Sequence, residues 1–224
     1  MSRYRDRNKR PGRSKATRTP RQRILVVCEG GVTEPSYLKR FQAFVKNQLV
    51  EIIYEDGEGD PQFVVTTARD FKTKAARRAQ SENDSNLDFD RVWCVIDVDD
   101  HSRLDQARIM ALDHGIELAI SNPSFELWLL LHLRESPGSR KQDAIRSLLK
   151  QKQHWPTYQK EVLSVHFKDC ETGYHQAVIR AKKLDELAAS IREPGKNPST
   201  GVYRLTEEIR LGFASPGNES LPGS

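Results

Sequence analysis

Two strand-like segments of the chain each end at a carboxylate. Residues 24–28 run directly into Glu29, and residues 92–96 run into Asp97, with Asp99 two positions further on. Ligands of open parallel sheets bind at the carboxyl ends of the strands, so neighbouring strands would bring the three acids together. Clustered carboxylate oxygens are the ligands that Mg²⁺ prefers, and a metal held by them supports phosphoryl-transfer chemistry. The pattern therefore predicts a site for Mg²⁺ or Mn²⁺.

Two glycines, Gly30 and Gly31, follow the first of these acids. Because they lack side chains, we expect a phosphate backbone to approach Glu29 closely at this point. Each acid also has a simpler interpretation: Asp99 could cap the helix that follows, and Glu29 could be a solvated strand end. An isolated Asp-x-Asp pattern is a weak signal. Its coincidence with a strand-end glutamate is what favours a functional site.

The elements that would position the acids alternate along the first 134 residues. Four apolar segments are predicted strands: 23–28, 49–54, 91–96 and 116–120. Helical patterns follow them, beginning at Thr33 and Pro61 and covering 104–114 and 125–133. Thr33 is the predicted cap of the first helix, with Glu34 and Pro35 in its first turn. Four strand–helix repeats predict an α/β fold with a parallel sheet and helices on both faces.

The pattern changes after Leu133. Helices are predicted at about 143–151, 176–191 and 203–211, with no further strong strand. The predicted organisation is a disordered basic tail over 1–22, an α/β core over 23–134, a helical extension packed on the core over 135–212, and a disordered tail over 213–224.

The positive charge of the chain is concentrated at its N-terminus. The formal net charge is +5, but residues 1–23 hold ten Lys and Arg and one acid, so they carry +9 and the remainder carries −4. We interpret the tail as an arm that binds nucleic-acid phosphates without reading sequence; the alternative is a solubilising leader. The predicted phosphate contacts in the arm are Arg3, Arg5, Arg7, Lys9, Arg10, Arg13, Lys15 and Arg18.

The composition argues against several other classes of protein. No apolar run approaches the roughly 20 residues that span a bilayer, and the basic N-terminus lacks the apolar stretch of a secretory signal. Three cysteines without regular spacing do not suggest a disulfide framework or a zinc site. We therefore expect a cytoplasmic protein with no membrane partner.

Several motifs carry a family resemblance. Glu29-Gly30 and Asp97-x-Asp99, each after a strand, resemble a Toprim domain. Three longer motifs resemble the RloB-like family: Glu29-Gly30-x-x-Thr33-Glu34-Pro35-x-Tyr37, Ser121-Asn122-Pro123-x-Phe125-Glu126-x-Trp128 and Asn197-Pro198-Ser199-Thr200-Gly201-Val202-Tyr203. The resemblance spans about residues 23–211.

This resemblance implies a Toprim-like nuclease from bacterial defence loci, often encoded near restriction–modification genes or beside an ATPase partner. Transferred residue by residue, it makes Glu29 a general acid/base or a metal ligand. Asp97 and Asp99 would hold Mg²⁺, and Glu34 would add a carboxylate as in OLD-family nucleases.

Four further residues have two interpretations each, and a fifth has one. Glu126 lies at the same predicted edge and is a catalytic candidate, or a first-turn acid that favours its helix dipole. Asn122 would contact phosphate or cap that helix. His101 would shuttle protons or simply be exposed. Tyr37 would attack a phosphodiester or pack in the core, and His132 is interpreted as a core residue.

The leading hypothesis is a metal-dependent nuclease that cleaves phosphodiester bonds in DNA or RNA, with water as the nucleophile. The alternatives are a non-catalytic nucleic-acid-binding or regulatory subunit on a Toprim scaffold, and a small-nucleotide phosphodiesterase. No Walker A motif occurs, so any ATP dependence would come from an ATPase partner. Homodimerisation is a further option for its assembly.

Overall fold

The computed structural model describes residues 23–46, 50–54, 60–98, 103–159 and 163–211. The predictions for the two tails lie outside these ranges, including the eight basic candidates from Arg3 to Arg18. The same is true of the predictions for Asp99 and His101.

The sheet has five strands: β1 (Ile24–Cys28), β2 (Val50–Tyr54), β3 (Arg91–Asp97), β4 (Glu117–Asn122) and β5 (Ser199–Thr200). Their order is β2-β1-β3-β4-β5, with β1 to β4 parallel and β5 antiparallel to β4. The four predicted strands and their parallel arrangement are confirmed. Strand β5 was not predicted, because two residues are too few to show an alternating pattern.

Seven α-helices accompany these strands in the described residues: α1 (Thr33–Phe44), α2 (Pro61–Glu82), α3 (Leu104–Asp113), α4 (Phe125–Leu133), α5 (Gln142–Leu149), α6 (Leu163–Ser190) and α7 (Val202–Leu211). A short 3₁₀ turn covers Ser85–Leu87. None of the helices in these ranges is long and apolar enough to cross a membrane.

Both faces of the sheet are covered by apolar side chains. Ile24, Val26 and Cys28 of β1 belong to a cluster with α1, α4 and α6, whereas Leu25 and Val27 belong to a second cluster with α2 and α3. Successive strand residues point to opposite faces, so an uninterrupted apolar strand must be buried on both sides. The prediction of helices on both faces is therefore confirmed.

Helix α6 is longer than predicted, since it begins at Leu163 and not near Gln176. Gly173 weakens the helical signal, because glycine is a poor helix former. The packing requires it: a Cβ on Gly173 would lie 3.0 Å from the carbonyl carbon of His132. Contact with α4 therefore overrides local propensity at this position.

The sequence predicts the first residue of one helix correctly and the N-terminal cap of another wrongly. Pro61 opens α2 as predicted, and Asp60 caps that helix by accepting a 3.0 Å hydrogen bond from the Gln62 N–H. The prediction that Thr33 caps α1 is wrong. Thr33 is the first helical residue, and its buried hydroxyl has no hydrogen-bond partner among the described residues.

Tyr37 and His132 are buried together in the larger cluster. The Nδ1 of His132 lies 2.8 Å from the Trp128 carbonyl oxygen, and its Nε2 lies 3.1 Å from the Tyr37 hydroxyl. A carbonyl only accepts, so Nδ1 carries the proton and neutral Nε2 accepts from Tyr37. The core interpretation of both residues is confirmed, and a nucleophilic Tyr37 is excluded by its burial.

The burial of His132 predicts an acid-sensitive fold. Burial lowers the pKa of His132 from 6.5 to about 4, so the unfolded chain binds this proton more readily. Neutral His132 therefore makes its full contribution to the stability of the fold above pH 6.5, and this contribution is lost as the pH falls towards 4. Between pH 7 and pH 4.5 the loss should be about 2–3 kcal/mol.

Urea unfolding of wild type and His132→Gln at both pH values measures this contribution as the difference in their pH dependence. His175→Gln, which replaces an exposed histidine of α6, is the control and should follow wild type. Equal pH dependence in wild type and His132→Gln would contradict the assignment.

Candidate acidic site at the carboxyl edge

The strand order reverses between β1 and β3. From β1 the chain adds β2 on one side, and β3 and β4 lie on the other. Ligands of doubly wound sheets bind in the crevice at this switch point. The first and third strands are neighbours, since Cys28 pairs with Val95, and this meets the condition under which the sequence brings the acids together. The acid that follows each strand therefore lies at the switch point.

Glu29 reaches across to the end of β3. Its N–H donates to the Val95 carbonyl at 3.0 Å, which extends the ladder by one bond. Its Oε2 accepts a 2.9 Å hydrogen bond from the Asp97 N–H. A bond from an amide to an ionised carboxylate is stronger than one between neutral groups. The backbone thus holds Glu29 and Asp97 side by side.

Asp97 is held in turn by the start of α4. Its Oδ1 accepts a 2.9 Å hydrogen bond from the N–H of Phe125, the first residue of that helix. A helix N-terminus presents unpaired N–H groups and favours negative charge. The bond from Phe125 therefore fixes the position of the Asp97 carboxylate at the start of α4.

Glu34 comes close to the same loop from the first turn of α1. Its side chain is buried, with 6% exposure. A Cβ on Gly30 would lie 2.8 Å from the Glu34 carboxyl carbon, so only glycine fits there. The missing side chain of Gly30 thus makes room for the Glu34 carboxylate, and the approach of a phosphate to Gly30 stays a prediction. Gly31, by contrast, is exposed.

Glu126 belongs to a neighbouring buried network. It is 2% exposed, and the Ser124 hydroxyl donates to its Oε2 at 2.7 Å. Arg146 of α5, whose side chain is 31% exposed, donates from Nε to Oε1 at 2.8 Å. Glu126 does lie in the first turn of α4, as predicted, but its principal partner comes from the C-terminal half of the chain.

Tyr158 lies against this network. Burial raises the pKa of its hydroxyl, and the carboxylates of Glu126 and Glu34 raise it further. The hydroxyl of Thr33 lies close enough to lower that pKa, yet neither hydroxyl meets hydrogen-bond geometry with any described group. Both hydroxyls are therefore buried without a hydrogen bond to any group that the structure describes.

Asn122 makes a hydrogen bond that the sequence did not predict, and its contact with phosphate stays a prediction. Its Nδ2 donates to the Gly195 carbonyl at 3.0 Å, which ties β4 to the loop before β5. The residue that precedes α4 as its N-cap is Ser124, so the prediction of a cap at Asn122 is wrong.

The acids fit a hard divalent cation in donor type. Mg²⁺ is usually held by one or two carboxylates and keeps several waters, and Glu29 and Asp97 are two acids joined by a hydrogen bond at the switch point. Across the described ranges, no group of three His, Cys, Asp or Glu side chains is arranged to hold a metal. The predicted third ligand, Asp99, is outside those ranges.

The fold and the paired acids define a doubly wound α/β protein with a candidate ligand site at its switch point. The chain belongs to the RloB-like protein family, whose model matches residues 24–209. The family resemblance seen in the sequence motifs is thereby confirmed. No curated protein and no solved structure matches the chain.

Two residues of the site were missed by the sequence reasoning, Arg146 and Tyr158. Neither lies in a motif, and both follow Leu133, in the segment predicted as a helical extension packed on the core. The only local signal was the strong amphipathic pattern of α5, which indicates a helix packed on one face. That pattern does not identify the carboxylate that the arginine meets.

The Glu126–Arg146 pair predicts an asymmetry between its two single variants. Arg146→Met removes the guanidinium from a buried carboxylate that keeps its bond to Ser124, and should cost about 2–3 kcal/mol. Glu126→Gln should cost less, because the arginine can reach water. The double variant should recover part of the loss.

Denaturant unfolding of the three variants gives these differences as a double-mutant cycle. Arg78→Met, which breaks the exposed Arg78–Glu82 pair, is the control and should change stability little. A loss for Arg146→Met no larger than that of the control would contradict the buried pairing.

Proposed function

We propose that this protein is a metal-dependent nuclease that cleaves phosphodiester bonds in nucleic acid. The single observation behind the proposal is the placement of Glu29 and Asp97 side by side at the switch point of the sheet. Two carboxylates held by backbone bonds at the usual ligand position of such sheets are a site prepared for a cation and a phosphate.

Each of the acids has its own proposed role in catalysis. Asp97, with Asp99, would hold Mg²⁺ or Mn²⁺, and Glu29 would serve as ligand or as general acid/base for an attacking water. The bound metal would supply charge neutralisation at the phosphoryl group. Glu34 would add negative charge beside Gly30, and Glu126 would shape the wall of the site through its bond to Arg146.

The charge distribution fits separate roles for affinity and chemistry. The +9 of residues 1–23 would attract nucleic acid, while the remainder, at −4, would not. The family resemblance adds a proposed context: a Toprim-like enzyme of bacterial anti-phage defence, cytoplasmic and working with an ATPase partner. DNA and RNA are both retained as substrates.

A second candidate function is a non-catalytic nucleic-acid-binding subunit. The observation in its favour is that Glu29 and Asp97 both accept hydrogen bonds from backbone N–H groups. These bonds stabilise the junction of β1, β3 and α4 with no need for a metal. In this case the acids have a structural role, and the basic tail alone would bind nucleic acid.

Glu29→Gln separates the two functions. The amide oxygen of Gln can still accept from the Asp97 N–H, so the fold should persist while the charge and basicity are lost. Loss of a positioned acid/base typically lowers a rate by 10²–10⁴-fold, so cleavage of DNA and RNA with Mg²⁺ or Mn²⁺ should fall to that extent.

Glu117→Gln is the matched control, since Glu117 is an exposed acid at the amino end of β4. It should cleave like wild type, and circular dichroism checks that both variants fold. Wild-type cleavage by folded Glu29→Gln would sink the nuclease proposal, and the binding subunit would replace it.

Metal binding is predicted to raise the melting temperature. A cation at ten times its Kd would stabilise the fold by about 1.4 kcal/mol, which is a few degrees for a domain of this size. Asp97→Asn keeps an acceptor for the Phe125 N–H but removes the charge, so it should lose the shift.

Thermal melts with and without Mg²⁺ or Mn²⁺ measure this shift, and Glu117→Gln should retain it. The metal site is disproved if Asp97→Asn and wild type respond equally.

A further inference from the structure

A cavity lies beside β4, on the sheet face that carries α3. Its volume is about 400 Å³, and its walls come from α3, β4, α6, α7 and the loop around β5. The lining residues that matter here are Arg108, Ile120, Asp185, Gly195, Gly201 and Arg204. Ile120 directly precedes Ser121, the strand partner of Asp97. The cavity is therefore near the acidic edge but separate from it.

Two arginines line this cavity without a carboxylate partner. Arg108 of α3 and Arg204 of α7 are exposed, and neither guanidinium makes a hydrogen bond or ion pair with any residue that the structure describes. Some other arginines of the chain are paired, such as Arg103 with Asp60 at 2.7 Å and Arg146 with Glu126. Two unpaired guanidinium groups in one concave site indicate an anion as the missing partner.

Glycine makes room for the guanidinium groups. A Cβ on Gly201 would lie 2.7 Å from Nη2 of Arg204, and a Cβ on Gly195 would lie 3.3 Å from Nη2 of Arg108. The other neighbours of the Gly201 position are at 3.4 Å or more. The absence of a side chain at Gly201 thus sets where Arg204 can lie.

The wall of the cavity is held by side chains from elsewhere in the fold. Asn122 donates to the Gly195 carbonyl at 3.0 Å, and the Gly201 N–H donates to the Ile120 carbonyl at 2.8 Å. Asn197 exchanges two hydrogen bonds with the backbone of Arg140, at 3.2 and 2.8 Å. The loop that faces the arginines is therefore fixed before any ligand arrives.

The one carboxylate of the lining does not neutralise the arginines. Asp185 accepts a 2.9 Å hydrogen bond from the Tyr203 hydroxyl. Burial raises the pKa of Tyr203 to about 12, so this hydroxyl stays protonated and continues to donate. With two guanidinium groups and one carboxylate, the lining has a formal charge of +1.

We propose that this cavity is a phosphate-binding site, in which Arg108 and Arg204 grip one phosphoryl group. The planar fork of arginine matches phosphate oxygens, and two forks from different helices can hold one group from two sides. The phosphoryl group comes either from the end of a nucleotide or from a phosphodiester within a nucleic acid. Binding here does not need the acids of the switch point, so the inference goes beyond the proposed nuclease activity.

The test is titration calorimetry on the full chain, at low salt and with a chelator so that no metal contributes. Three probes are used: pyrophosphate, a nucleoside 5′-monophosphate, and a dinucleoside monophosphate whose only phosphate is a diester. We expect at least one probe to bind wild type and to bind Arg108→Gln/Arg204→Gln about tenfold or more weakly. Preference for the monophosphate or for the diester identifies the source of the phosphoryl group.

Two further variants exclude simple explanations. Arg40→Gln/Arg77→Gln removes the same charge from exposed arginines of α1 and α2 and should bind like wild type. Gly201→Ala keeps all charges but displaces the Arg204 guanidinium, and should weaken binding.

The proposal is overturned if wild type binds none of the probes. It is also overturned if the two double variants bind equally, because the arginines of the cavity would then contribute only net charge.

Discussion

The junction of β1, β3 and α4 rests on hydrogen bonds to two carboxylates. Asp97 donates its N–H to Glu29 and accepts the N–H of Phe125, so one residue connects a strand end, its neighbour and a helix start. An acid placed there lowers the cost of unpaired backbone groups at the helix N-terminus. It also brings two acids together at the carboxyl edge of the sheet.

The C-terminal half of the chain completes the core of the N-terminal half. Helix α6 lies along α4 and α1, and residues from both halves form a single apolar cluster. Polar contacts follow the same arrangement, since Arg146 meets Glu126 and Thr200 meets Ser121 at 2.9 Å. A change in the C-terminal helices is therefore expected to alter the acidic edge without touching any acid.

The acidic site and the arginine-lined cavity differ in charge, so the two sites would bind different ligands. The acidic site lies where β1 and β3 end, and the arginine-lined cavity lies on the α3 side of β4. An acidic site suits a cation, and an arginine site suits a phosphate. If both are occupied by the same nucleic acid, the cavity would fix the position of a phosphate relative to the acids. If they are independent, the cavity would be a separate nucleotide site.

The sequence by itself determined the strand–helix alternation, the parallel sheet and the positions of Glu29 and Asp97 at the strand ends. Those features are local: an apolar run of given length and the acid after it can be read from adjacent residues. The tertiary structure alone decided that Gly30 accommodates Glu34, that Glu126 meets Arg146, and that Arg108 and Arg204 line one cavity. Each of these joins residues from separate elements, and no pattern along the chain specifies which side chains meet once the helices pack.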